Sequence, residues 1–353
     1  MSFINDIIKS SGNKYAVVAD EGIDGSDVTG FIDSGSYALN ALVSGSLYGG
    51  IPNNKILALA GESATGKTYF ALGMAKKFLE DCKDAVVLYF DTEAAVTSQM
   101  ITSRGIDTKR VAIFPVPTVE EFRNQMVTIA NKYLEQDPAK KKPMLVILDS
   151  LGMLSTTKEM NDTAEGKETK DMTRAQVVKS TFRVLTIKLG EAGIPLILTN
   201  HTYDSMGSMY PTKEMSGGQG LKYAASTILY LSKRKDKDSE GEVVGNIIHC
   251  KLHKGRFTKE NKMVDVKLNY DSGLNRYYGL LDIAIKYDIF KKVSTRIELP
   301  NGDKTFEKTI NENPEKFFTQ EIMDKLEVAV GKEFKYGVNE ETEDGKTANQ
   351  ISK

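Results

Sequence analysis

Eight consecutive residues, Gly61, Glu62, Ser63, Ala64, Thr65, Gly66, Lys67 and Thr68, constrain this chain more than any other stretch. They spell G-x-x-x-x-G-K-T. Before them lies a short apolar run, residues 55–60 (KILALA). After them, Phe70, Ala71, Met74, Ala75, Phe78 and Leu79 fall on one helical stripe over 68–81. A strand, a glycine-bearing turn and a helix in that order make a phosphate cradle. The glycines let successive N–H groups point inward, and the helix adds its N-terminal dipole. Lys67 reaches the β- and γ-phosphates, and the Thr68 hydroxyl is a ligand for magnesium. All eight are candidate nucleotide-binding positions, with ATP and Mg2+ as the cofactors they imply.

The rest of the chain agrees with the sheet that such a loop requires. Residues 85–90 (AVVLYF), 144–148 (MLVIL) and 194–199 (IPLILT) are short apolar runs that predict buried strands. Between them, Thr118 and Glu121 match a capping box, and Phe122, Met126, Ile129 and Tyr133 continue at helical spacing. Strand and helix alternate to about residue 200, the pattern of a parallel sheet covered on both faces. Residues 226–231, 244–252 and 263–270 then follow as strand-like runs without helices, so hairpins extend the sheet. The expected fold class is α/β, a P-loop ATPase core with a mostly parallel sheet and antiparallel additions. The expected division is an acidic arm at 1–34, the core at 35–272, a small α+β module at 273–337 opening on the stripe LLDIAIKYDIF, and an acidic tail at 338–353.

Composition sets outer bounds. The chain has 353 residues, 40% apolar and 27% charged, with a net charge of −1, which excludes wholesale disorder and a disulfide scaffold. Two cysteines suit a reducing cytosol. No apolar run approaches the roughly 18 residues of a membrane span, and the N-terminus lacks a secretory pattern. The near-zero charge argues against a highly basic DNA coat but leaves room for a local basic groove: residues 232–262 hold nine basic and five acidic side chains.

Further carboxylates suit a nucleotide site. Asp149 ends the strand MLVIL, where it would hold magnesium, with Ser150 beside it. Glu93, in YFDTEAA, follows another strand and would orient or deprotonate an attacking water; Asp91 is its rival. Asn200 and His201 end the strand IPLILT, where a polar side chain would sense the γ-phosphate. Two stretches, 156–171 and 202–220, show no secondary-structure pattern and leave the sheet at the nucleotide end, a place for functional loops. In the second, Met206, Met209 and Tyr210 suit contacts with bases, while Ser216, Gly217, Gly218 and Gln219 precede a helix starting near Leu221 and offer N–H groups to a DNA phosphate.

The ordered set GESATGKT, DTEAA, LVILDS, LTNH and MSGGQGLKYAAS resembles the RecA family of homologous recombinases. NHTY, DMTRAQVVKSTFR and GLLDIAIKYDIF are particularly similar to the UvsX-type recombinases of large tailed phages. The likeness covers about residues 35–300. It implies a RecA-like core and a DNA-dependent ATPase that forms a helical filament on single-stranded DNA and exchanges strands with a homologous duplex. It further implies single-strand-binding and recombinase-loading proteins as partners, no membrane, and the cytoplasm of an infected bacterial host as the location. By resemblance Glu93 is the catalytic glutamate, His201 stands where a γ-phosphate-sensing glutamine is usual, and Arg183 touches the DNA backbone. Lys254 and Arg256 resemble the basic pair that reaches a neighbour's ATP. The candidate catalytic set is thus Lys67, Glu93, Asp149, His201, Lys254 and Arg256, with Thr68 and Asp149 on the metal.

The chain departs from the family in two places. Met100 occupies the position where an aromatic residue usually covers the adenine, so thioether contact replaces stacking. The arm does not match the usual polymerisation helix, and a strand at 14–18 (KYAVV) is expected to dock on a neighbour's sheet instead. His249, Cys250 and His253 form H-C-x-x-H, but their alternation suits a strand better than a zinc site. Lys140–Lys142 reads as a solvated turn, and Lys233, Arg234 and Lys235 as a hairpin tip. A ring-forming replicative helicase on the same core, and a paralogue that binds DNA without exchanging strands, remain alternatives. A clock-type signalling ATPase is more remote, since one P-loop is present where that class carries a duplicated domain.

Overall fold

The computed structural model describes residues 3–338, except 14–15, 24, 168–171, 205–212 and 217. The chain opens with α1 (Phe3–Ser11), where Phe3, Ile4 and Ile7 stay exposed and no residue is buried. The arm therefore carries a helix where none was expected: apolar residues at 3, 4, 7 and 8 give it an amphipathic stripe. The expected docking strand does not form at 16–18, and 14–15 lie outside the described residues. β1 (Phe31–Ile32) and, beyond α2 (Tyr37–Ser44), β2 (Ile51–Pro52) make a small antiparallel pair. The Ser36 side chain caps α2 by accepting the Leu39 N–H.

The core then runs β3 (Ile56–Gly61), α3 (Lys67–Asp81), β4 (Val86–Asp91), α4 (Ser98–Thr102), β5 (Val111–Pro115), α5 (Val119–Leu134) and β6 (Met144–Asp149). It continues through α6 (Thr157–Ala164), α7 (Arg174–Ala192), β7 (Leu196–Asp204), β8 (Lys213–Met215) and α8 (Gln219–Ala224). Three longer strands follow, β9 (Thr227–Lys237), β10 (Val243–Gly255) and β11 (Met263–Asn269), then β12 (Gly273–Leu274). Among the described residues the sheet has ten strands in the order β12-β11-β10-β9-β3-β7-β6-β4-β5, with β8 paired to β7. From β5 to β9 the neighbours are parallel; β10, β11 and β12 continue antiparallel.

The strand period of two divides the core between the two faces. Leu57, Leu59, Leu145, Ile147 and Ile197 join α2 and α3 on one face. Ile56, Ala58, Ala60, Val146, Leu148 and Leu196 join α5, α7 and α8 on the other. Burial on both faces explains why β3 and β6 read as unbroken apolar runs.

Three local readings change. The stretch 202–220 is partly regular: β7 runs on to Asp204, so His201 lies within the strand and not at its end, and β8 and the start of α8 follow. The stretch 156–171 is not irregular throughout. Thr156 and Glu159 form a reciprocal capping box that starts α6, a helix with no buried residue and hence no apolar period to betray it. Lys233, Arg234 and Lys235 lie within β9; the turn comes later, where Asp238 N–H bonds Glu242 O.

After β12 come α9 (Leu280–Lys286), the three-stranded antiparallel sheet of β13 (Lys291–Val293), β14 (Arg296–Glu298) and β15 (Lys304–Thr305), and then α10 (Glu307–Glu312), α11 (Pro314–Phe317) and α12 (Gln320–Phe334). Leu280, Phe290, Leu326, Val330 and Phe334 join the apolar cluster on the α3 face of the sheet.

Candidate nucleotide and DNA site

The phosphate loop leaves β3 at Gly61, a position that tolerates no side chain: a Cβ there would lie 2.8 Å from Leu231 O. Gly66, just before α3, has φ +88°, which favours glycine. Lys67 Nζ donates to Gly61 O at 3.0 Å and Glu62 O at 2.8 Å, so the ammonium rests on the loop's own carbonyls. Burial lowers its pKa. Thr68 Oγ1 donates to Asp149 Oδ2 at 2.6 Å, which joins the two candidate metal ligands directly.

Asp149 is the end of β6, in register with Asp91 at the end of β4. Besides Thr68, its carboxylate accepts the Tyr89 hydroxyl at 2.6 Å and the Thr199 hydroxyl. Tyr89 is fully buried, and burial with the Asp149 charge pushes its phenol far above the ordinary value, so it acts as a donor. Sequence reading missed Tyr89 and Thr199, whose signal was only a hydroxyl in an otherwise apolar strand.

The rivalry between Asp91 and Glu93 resolves by geometry. Asp91 is buried and accepts the Glu93 N–H at 3.1 Å and the Val96 N–H at 3.3 Å, so it braces its own turn. Glu93 Oε1 accepts the Ser150 hydroxyl at 2.9 Å and lies 3.4 Å from His201 Nε2. Thr92 ties the same corner, its Oγ1 accepting the Ser150 N–H at 2.7 Å. β7 sits beside β3 with His201 opposite Gly61, the residue at which the phosphate loop begins.

The β7–β8 hairpin leads from this point. Asn200 Nδ2 donates to Ser216 O at 2.7 Å, the Ser216 N–H donates to His201 O at 3.2 Å, and Ser216 Oγ bonds Asn200 Oδ1. Lys213, on β8, pairs with the Glu62 carboxylate of the phosphate loop. Met206, Met209 and Gly217 lie outside the described residues. Gly218 immediately precedes α8, whose first residue is Gln219. Arg183 is exposed on α7.

Met100, on α4, lines a cavity of about 900 Å³ beside the first turns of α3. Its other walls include Tyr69, Arg104, Tyr270 and Gly273. The Arg104 guanidinium covers the Tyr69 ring 3.8 Å from its centroid, an aromatic surface that the sequence reading overlooked although Tyr69 directly follows Thr68.

Lys254 and Arg256 do not join these groups. Lys254 pairs with Ile228, three residues before the Leu231 that pairs with Gly61, about 10 Å along the strands toward the end of the sheet opposite the phosphate loop. There Lys254 Nζ donates to Lys222 O at 2.6 Å, and Arg256 Nη2 donates to Tyr223 O at 3.3 Å. Burial and the nearby Arg256 lower the pKa of Lys254. His249 bonds Asp265 and His253 stacks on Tyr230 at 4.5 Å, while Cys250 is buried in the core on the opposite strand face.

The RecA N-terminal domain family matches residues 2–275. The recombination and repair protein of Enterobacteria phage T4 is 34% identical over 249 residues, 70% of this chain and 61% of that protein, so the match spans about three-fifths of the phage protein. The RecA proteins of Mycoplasmopsis pulmonis and Malacoplasma penetrans are 25% and 24% identical, covering 82% and 80% of this chain and 81% and 84% of their own lengths.

Proposed function

The chain belongs to the RecA family, and from that membership we propose that it is an ATP-dependent recombinase that filaments on single-stranded DNA and exchanges strands with a homologous duplex. The observation that carries the reading is the 3.4 Å approach of His201 Nε2 to Glu93 Oε1. It joins the carboxylate suited to hydrolysis to the hairpin that leads into the segment 202–220. Bound γ-phosphate offers the imidazole a competing partner, so occupancy of the nucleotide site alters the hairpin, and hydrolysis reverses the change.

The hard oxygen donors of Thr68 and Asp149, already 2.6 Å apart, fit Mg2+, which would neutralise phosphate charge. Tyr89 and Thr199 hold the Asp149 carboxylate in place, and Ser150 holds Glu93 toward the water that attacks. Lys67 exchanges the carbonyls of Gly61 and Glu62 for the phosphates. Lys254 lies well along the strands from its own phosphate loop, and it and Arg256 bond the carbonyls of Lys222 and Tyr223. Both basic side chains act on a neighbour's nucleotide, as arginine-finger groups do. The exposed apolar stripe of α1 suits docking on the adjacent subunit, giving a head-to-tail filament. Arg183, Ser216 and Gly218, with Met206, Met209, Gly217 and Gln219, are the proposed DNA contacts.

Among the described residues no helix is long and apolar enough to cross a membrane, and we place the activity in the cytoplasm of a phage-infected cell. Single-strand-binding and loading proteins are the proposed partners. Electron micrographs with single-stranded DNA and a non-hydrolysable ATP analogue test the proposal. Nucleotide-dependent helical filaments are expected, and closed rings would replace the reading with a helicase.

A further inference from the structure

The two strands of the β7–β8 hairpin each present a basic side chain to a carboxylate of the nucleotide site. On β7, His201 meets Glu93. On β8, Lys213 meets Glu62, the second residue of the phosphate loop. The Lys213 hydrogen bond, followed by its charge, is what lowers the Glu62 pKa. Glu62 serves two lysines at once: its carbonyl accepts Lys67 Nζ at 2.8 Å while its carboxylate holds Lys213. Lys67 and Lys213 thus share Glu62, while a third ammonium, Lys233 Nζ, donates to Ala64 O of the same loop. The pair with Lys213 is exposed on both sides, with side chains 46% and 61% accessible. Such a pair adds little to fold stability and is easily exchanged for a stronger anion.

We propose that Lys213 is a second nucleotide-reading residue of the hairpin, with Glu62 as the counter-ion that it leaves when a γ-phosphate arrives. The proposal rests on the reading of Gly61–Thr68 as the phosphate site. A polyphosphate in the loop brings more negative charge than one carboxylate, and it offers several acceptors to the three N–H donors of an ammonium. Lys213 opens β8, which pairs with β7 and is followed directly by Ser216, whose N–H donates to His201 O, so its movement and that of His201 act on one paired unit. Glu62 thereby competes with nucleotide for Lys213, which predicts opposite effects for the two partners.

Equilibrium titration of the full chain with a fluorescent non-hydrolysable ATP analogue and the matching ADP tests this. Lys213→Ala should lower the preference for the ATP analogue over ADP by about 3- to 10-fold, with ADP affinity little changed. Lys213→Arg should retain most of the preference. Glu62→Gln should raise it. Equal loss of both nucleotides in Lys213→Ala, an unchanged preference, or a Glu62→Gln effect in the same direction as Lys213→Ala would overturn the proposal. Lys67→Ala separates this from the underlying reading. If that variant binds both nucleotides normally, the phosphate-site assignment itself fails.

Discussion

The Ser150 hydroxyl donates to Glu93 Oε1 at 2.9 Å, one residue beyond the carboxylate of Asp149. Two adjacent residues at the end of β6 thus reach both halves of the site, the ion and the base. Ser150 is fully buried, and its backbone is tied to Thr92 beside Glu93, so the two strand ends move together. Glu93→Gln should lower DNA-stimulated kcat by about 10²- to 10⁴-fold with nucleotide affinity nearly unchanged. Ser150→Ala should cost less, and in kcat more than KM, because the carboxylate remains but loses its orientation. Steady-state ATPase assays check both. A Glu93→Gln protein that hydrolyses ATP normally would remove Glu93 from catalysis.

Lys254 lies about 10 Å along the sheet from the Gly61 end of its own strand neighbourhood. If it serves a neighbour's nucleotide, Lys254→Ala should lose up to about 10³-fold in DNA-stimulated ATPase while the unassembled chain still binds nucleotide. Mixing it with the Glu93→Gln protein should restore activity, since some interfaces then combine an intact Glu93 with an intact Lys254. Absence of any rescue in filaments that contain both proteins would argue for action within one subunit.

Tyr69 offers the large cavity an aromatic surface backed by Arg104. Tyr69→Ala should weaken nucleotide binding by about 0.5–2 kcal/mol, and Tyr69→Phe should preserve it, since a face contact needs the ring and not the hydroxyl. Titration with ATP and with a base-free triphosphate checks the assignment. Tyr69→Ala should affect only the ligand that carries a base.

Glu333 links the C-terminal segment to the core. Burial opposes its ionisation, but hydrogen bonds from Lys262, Lys286 and Tyr287 outweigh this and hold its carboxyl at about 2, against an ordinary 4.5. A depressed carboxyl stabilises the fold above its unfolded value, and that stabilisation is lost as pH falls from about 4.5 toward about 2. Glu333→Gln should therefore cost roughly 1–3 kcal/mol at neutral pH, with the deficit shrinking through that acid window. Denaturant midpoints of both proteins across pH 2–7 measure the difference. A deficit that is constant down to pH 2 would show that charge is not its source.

The local parts of this protein are written in short runs of sequence. The phosphate loop was legible because its glycines, lysine and threonine act within eight residues, between a strand and a helix of recognisable period. The fully buried strands were legible as apolar runs. Where an element buries nothing, that signal fails. α6 was missed although its Thr156-x-x-Glu159 cap was in view, because no apolar stripe followed it.

What only tertiary structure decided is which distant residues meet. The order β3-β7-β6-β4 and its register set His201 level with Gly61 and close to the ends of β6 and β4 that carry Asp149 and lead to Glu93, from four separate stretches of chain. Register then separated Asp91 from Glu93, turning one into a brace and leaving the other toward His201. It also placed Lys254 toward the opposite end of the strands, supplied Tyr89 to Asp149, and brought Lys213 to Glu62. The physical reason is one of range. Backbone geometry and side-chain period act over a few residues, whereas a carboxylate's partner is chosen by strand order and register, which depend on burying both faces of the whole sheet.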